Sequence, residues 1–163
     1  IDAITGFSFT SLLNLEARGA KTEDVVIMPY ADFGVKLYGN VIIASPKLIA
    51  EKPEAVRAFL KAFAKGAKEG IAHPEAAIAS MKAKDGLVNV PQEVKRLKLT
   101  IETAIDSEGA RKEGFGQLNP ARLQLMAEQV AKAYATKRPI PVQAVWNGSF
   151  LPSAAELDVL PKR

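Results

Sequence analysis

The chain has no cysteine, so disulfides, thiolate nucleophiles, iron–sulfur clusters and cysteine-bound zinc are excluded from its 163 residues. Histidine is almost as scarce, with His73 standing alone. Metal binding would then fall to carboxylates, and neither Glu23-Asp24 nor Asp106-x-Glu108 supplies the alternating oxygen ligands of a calcium loop. Nucleophilic catalysis needs a base beside a nucleophile and an orienting acid. His73, directly before Pro74, reads more simply as the junction between two helices. No apolar run approaches the roughly 18 residues of a bilayer-spanning helix. There is no phosphate-cradling Gly-Lys-Ser/Thr loop. Gly114-Phe-Gly116 lacks both the third glycine and the preceding strand of a dinucleotide fingerprint, and reads as a turn. Neither a catalytic constellation nor a metal or cofactor site is expected.

Apolar residues make up 48% and charged residues 25% of the chain, the balance of an ordinary globular domain. The net charge of +4 is unevenly spread: residues 1–40 carry three basic and five acidic side chains, whereas residues 41–100 carry eleven and six. A basic middle can attract nucleic acid. Here the lysines alternate with glutamates at helical spacing and no aromatic stacking residues are interleaved, so a solvated face is expected and no nucleic-acid partner. The cationic, apolar stretch Arg57 to Ile71 could pass for a membrane-surface helix, but its stripe spacing reads better as a core face.

Periodicity divides the chain into a short strand-rich part and a long helical part. Ile1 to Phe7, Val25 to Met28 and Leu37 to Ala44 read as buried strands. Beyond about residue 46 the pattern is helical, and Pro46, Pro53, Pro74, Pro91 and Pro120 each stand where a helix would begin. Ser45 and Asn119 precede two of them as N-caps. The strongest helix is predicted over residues 53–72, with Val56, Phe59, Leu60, Phe63, Ala64, Ala67 and Ile71 on one stripe. Another follows Pro74 with Ile78 and Met81 inward. A third runs over residues 91–105, and the last over 120–136 with Leu123, Met126, Val130 and Tyr134 inward. Three strands ahead of a helical tail make a poor closed sheet, and runs such as Val25–Met28 suit strands covered on both faces. The missing strands are expected upstream, which makes this the C-terminal part of a larger protein.

One segment has a positive binding rationale. Gly6-Phe7-Ser8-Phe9-Thr10-Ser11 links the first predicted strand to a helix. Such a turn at the carboxyl end of a parallel sheet is where open α/β folds bind ligands. Gly6 permits close backbone approach, Ser8 and Thr10 offer hydroxyls, and free N–H groups at a helix start favour an anion. The alternative is a capping turn with Ser8 as N-cap and Phe7 buried. Physical reasoning alone leaves the two level.

Asp2-Ala-Ile-Thr-Gly-Phe, Pro29-Tyr-Ala-Asp-Phe-Gly, Tyr38-Gly-Asn-Val-Ile-Ile-Ala-Ser and Pro53-Glu-Ala-Val-Arg-Ala-Phe-Leu, in that order, resemble the solute-binding proteins of ABC importers. The similar branch handles nitrate, sulfonates, taurine and thiamine pyrimidine precursors. The resemblance covers about residues 1–80, and Trp146-Asn-Gly-Ser-Phe-Leu-Pro resembles a C-terminal segment of the same group. It implies an α/β architecture, the predominantly helical C-terminal portion of a two-lobed, type II periplasmic-binding-protein-like fold with about three strands near the N-terminus. Residues 1–36 would finish the second lobe, 37–45 would be the hinge crossover strand, and 46–163 the helical C-terminal part of the first lobe. Thr5, Gly6, Phe7 and Ser8 would face the ligand, with Asp32 and Tyr38 as further candidates. The implied role is capture of a small organic molecule outside the cytoplasm, in a periplasmic or extracytoplasmic setting, for delivery to a permease. It is a binding role rather than an enzymatic one. The implied partners are therefore the ligand, the permease, and either the missing N-terminal half or a second copy of the chain. Two alternatives are an enzyme of the same fold that makes the thiamine pyrimidine with a cysteine- and histidine-containing iron site, and a helical interaction module without a ligand.

Overall fold

Proline explains where most of the helices begin. Its ring fixes φ near the helical value and its missing N–H would have had no partner in the first turn. The computed structural model describes residues 2–162. Its helices are α1 (Ser8–Glu16), α2 (Pro46–Glu51), α3 (Pro53–Ala72), α4 (Pro74–Lys84), α5 (Val90–Thr100), α6 (Glu108–Glu113), α7 (Pro120–Ala133), α8 (Val142–Val145) and α9 (Ala154–Leu157). All five helix-opening prolines lie in a first turn. Ser45 accepts from the Leu48 N–H and Asn119 from the Arg122 N–H, so both expected N-caps form. Asn89 and Ser107 cap α5 and α6 in the same way, and Ser153 with Glu156 completes a capping box on α9. His73 ends α3 and opens α4, donating its backbone N–H to Glu69 O at 2.8 Å and accepting from Ala77 N–H at 3.1 Å.

The helix predicted over residues 91–105 changes character at Ile101. Residues Ile101–Ile105 form a π-helical turn in which the Asp106 N–H reaches Ile101 O at 2.7 Å. The hydroxyls of Thr100 and Thr103 donate to the carbonyls of Arg96 and Leu99, a competition that loosens the regular ladder. The helix expected to reach residue 136 stops at Ala133, because Ala135 adopts a left-handed φ of 48°.

The elements pack in a series: α1 on α5, α5 on α4, α4 on α3, and α3 on α2, α9 and the 148–150 turn. Leu13, Ala64, Ile78, Leu123, Ala127, Leu157 and Val159 are the buried apolar residues among those described. They form a thin core made largely of single residues per helix. Several residues expected inside are not. Phe59 is 56% and Phe63 46% exposed, because the buried line of α3 runs through Ala64 and leaves the phenylalanine flank only partly covered, by the Phe115 ring against Phe63. Met81 is also exposed, and Tyr134 lies beyond the end of α7, where no helical face remains to direct it inward.

The three runs expected as strands differ most from expectation. Ile1 lies outside the described residues; residues 2–7, 25–28 and 37–44 take part in no β-ladder among those described. The backbone at Phe7, Val25, Pro29 and Ser45 is extended, as a strand requires. A strand, however, is completed only by a neighbour that accepts its hydrogen bonds. No such neighbour is present among the described residues, and apolar residues of these runs face solvent, Ile43 at 86% exposure.

Candidate functional site

The start of α1 is built as an open helix terminus. Phe7 occupies the N-cap with φ −75° and ψ 127°, and no side chain caps the turn. Ser8 is the first helical residue, so it does not serve as the cap. Phe7 O accepts from the N–H groups of Thr10 and Ser11, whereas no acceptor for those of Ser8 and Phe9 occurs among the described residues. Phe7 is 48% exposed and stacks on Phe9 with ring centroids 5.2 Å apart. Both elements of the capping-turn alternative, a capping Ser8 and a buried Phe7, are therefore missing. At Gly6 a Cβ would stand 2.7 Å from Ser11 Oγ, so an alanine there would force the serine hydroxyl to rotate. The free N–H groups of Ser8 and Phe9, directly after Thr5, Gly6 and Phe7, thus have an aromatic pair beside them, an arrangement suited to a small ligand carrying a negative or acceptor group.

Two contacts hold α1 against α5. Leu13 is buried midway along the helix. Near one end Arg96 Nη1 donates to Phe9 O at 3.4 Å while its Nε pairs with Glu93 at 3.0 Å. At the other end Lys95 Nζ meets Glu16 at 2.6 Å, and Thr22 Oγ1 donates to the same carboxylate at 2.7 Å. The lysine bond, followed by the threonine bond, holds the Glu16 carboxyl below its ordinary pKa. Beyond Glu16, Gly19 at φ 91° lets the Ala20 N–H return to Leu15 O and closes the helix.

Asp32 and Tyr38 lie elsewhere. Asp32 is exposed in the 3-10 turn Tyr30–Phe33, with its N–H bonded to Pro29 O. Tyr38 is engaged by α7: its hydroxyl accepts from the Asn119 N–H at 2.8 Å, its own N–H points to Met126 Sδ at 3.4 Å, and the Arg122 guanidinium sits 4.2 Å above its ring. No hydrogen bond joins Thr5, Gly6, Phe7 or Ser8 to Asp32 or Tyr38 among the described residues. Sequence reasoning noted Asn119 only as a cap and Met126 only as an inward residue, and missed Arg122 and Gln129. The signal was present, since residues 119, 122, 126 and 129 recur at helical spacing and share one face of α7.

A concavity of about 320 Å³ lies between α3 and residues 150–156. Its cations are already engaged. Arg57 donates to Ser149 O, covers the Phe150 ring at 4.7 Å and pairs with Glu54; Lys61 meets Glu156 at 2.7 Å. The Lys61 bond, then the Ser153 hydroxyl and backbone N–H, lower the Glu156 pKa to about 2. With its charges satisfied, this groove fastens α9 to α3. Among the described residues no group of three or more His, Asp or Glu side chains could hold a metal ion, and no helix is long and apolar enough to cross a membrane.

A model of the NMT1/THI5-like family matches residues 1–77, just under half of the chain, and that span includes the α1 site. The match supports relation to solute-binding proteins of importers at a coarse level, in a family that also contains synthases. Comparisons with curated proteins and with solved structures give no match.

Proposed function

We propose that this chain is part of the solute-binding component of an ABC importer, and that it captures a small organic molecule at the start of α1. The observation that carries the reading is the family match, because it spans the helix start that sequence reasoning had singled out. The free N–H groups of Ser8 and Phe9 and the adjoining hydroxyls favour a sulfonate or carboxylate headgroup, and the Phe7–Phe9 stack suits a short apolar body. In the complete protein residues 2–7, 25–28 and 37–44 would pair as strands of a two-lobed α/β fold. Ligand would then shift the population toward a closed cleft, and the permease would read that closed state outside the cytoplasm. The role is binding without chemistry.

A thermal-shift screen of small sulfonates, carboxylates and pyrimidines tests the reading. A ligand present at 100 times its dissociation constant adds about 2.7 kcal/mol to stability. A sulfonate or carboxylate that raises the melting temperature, and does so less in the Phe7→Ala variant, supports the proposal. No shift across all three classes, measured on the complete polypeptide, rejects it.

A further inference from the structure

We propose that α7 latches Gly34–Tyr38 and moves with it as one body, so that Tyr38 is a positioning residue and the first free joint of the crossover is Gly39. The inference rests on the receptor reading only in calling this segment a crossover; the latch itself is geometric. Five contacts converge from one face of α7. Gln129 Nε2 donates to Gly34 O at 2.9 Å, Arg122 Nε to Lys36 O at 3.1 Å, and Arg122 Nη2 to Leu37 O at 2.7 Å. The Asn119 N–H donates to the Tyr38 hydroxyl, and the Tyr38 N–H meets Met126 Sδ. The Arg122 fork thus holds two successive carbonyls while its plane covers the Tyr38 ring, a combination that a lysine's single compact ammonium cannot reproduce.

The latch has clear limits at both ends. On the N-terminal side Gly34, at φ 84°, ends the Tyr30–Phe33 turn, and the Val35 N–H returns to Tyr30 O. On the C-terminal side the contacts stop at Tyr38: no hydrogen bond to residues 39–43 occurs among the described residues. A Cβ at Gly39 would meet nothing within 4 Å, and Val41, Ile42 and Ile43 are exposed. A segment fixed by three carbonyl bonds, a stacked ring and a bonded hydroxyl therefore gives way abruptly to one that makes no hydrogen bond among the described residues. Because both faces of Tyr38's chemistry, ring and hydroxyl, serve α7, its contribution to a ligand site is to set where the chain emerges.

Amide hydrogen exchange on the whole chain tests this without any ligand, because two latch bonds use amides as donors. The Tyr38 and Asn119 amides should be protected and those of Gly39 and Asn40 should exchange freely. Arg122→Ala, which removes two carbonyl bonds, should speed exchange at the Tyr38 amide at least about tenfold, with the α3 amides unmoved. Arg122→Lys should fail to restore protection, and Tyr38→Phe should expose the Asn119 amide selectively. A Tyr38 amide exchanging as fast as that of Gly39, or full rescue by lysine, overturns the latch. A chain that shows the latch but binds no screened solute refutes the receptor reading alone. One that binds solute with an unprotected Tyr38 refutes the latch alone.

Discussion

Phe7 is where sequence and structure meet most directly at the scale of single residues. It is half exposed and makes one ring contact, with Phe9, so Phe7→Ala should cost about 1 kcal/mol of stability while removing the apolar side of the proposed ligand site. Calorimetry of the complete protein should show weakened affinity with the fold retained; unchanged affinity would remove Phe7 from the site. Glu156 gives a prediction free of any ligand. Its pKa, near 2 in the folded chain, lies below the ordinary carboxylate value because the charged form is bonded by Lys61 and Ser153. A depressed folded pKa means that the unfolded chain binds the proton first. The stabilisation is complete above about pH 4.5 and is lost as pH falls toward 2. An NMR titration of the Glu156 carboxyl should find the low midpoint, and Lys61→Met should move it upward. Lys61, raised by the same bond, works in the opposite sense and loses its share only as the solution becomes strongly alkaline.

At the scale of elements, the two ends of α7 are unequal. Its start is well made: Asn119 caps the Arg122 N–H, and its side-chain amide donates to Glu113 at 3.0 Å. Asn119→Ala should therefore destabilise by about 1 kcal/mol in thermal unfolding. Its end carries strain. The Thr136 N–H returns to Ala131 O and the Ala135 N–H to Lys132 O, a closure that places Ala135 in the left-handed region normally given to glycine. The same closure on α1 uses Gly19. Ala135→Gly should accordingly raise the melting temperature, with a gain of no more than about 1 kcal/mol because glycine also loosens the unfolded chain. A lower melting temperature would show that Ala135 is not strained.

The whole molecule is more open than its mass requires. It exposes 12207 Å², against about 7,900 Å² for a compact monomer of 17.5 kDa by the usual scaling. Much of the uncovered area is apolar and lies in extended segments, with Val26, Ile27, Met28, Val41, Ile42 and Ile43 all exposed. Extended apolar backbone without a partner invites pairing with another chain. Light scattering should find the 163-residue chain associated, as a dimer, a swapped species or larger aggregates, with the fraction rising with concentration. A stable monomer at high concentration would show that these segments need no partner.

Local signals were legible wherever neighbours in sequence decide the outcome. Five prolines and the Ser45 and Asn119 caps mark helix starts, and the Gly6–Ser11 turn marks the start of α1. The ends of elements were less legible, as the π turn at Ile101 and the early stop at Ala133 show, because they depend on hydroxyl competition and a single left-handed residue. What a helix face meets was legible only in part: Ala64, Ile78 and Leu123 are buried as their stripes predicted. The stripe of α3 also predicted Phe59 and Phe63 inside, but burial requires an opposing surface, and here it covers Ala64 and leaves the phenylalanines about half exposed. The strand runs carried the backbone preference without the partner that turns preference into sheet. Tyr38 looked like a ligand residue until α7 occupied both its ring and its hydroxyl. The sequence by itself determined where the proline-marked helices start, since those are local hydrogen-bond balances. Tertiary structure alone decided which faces are covered and which side chains remain free, since each depends on a residue some 80 positions away.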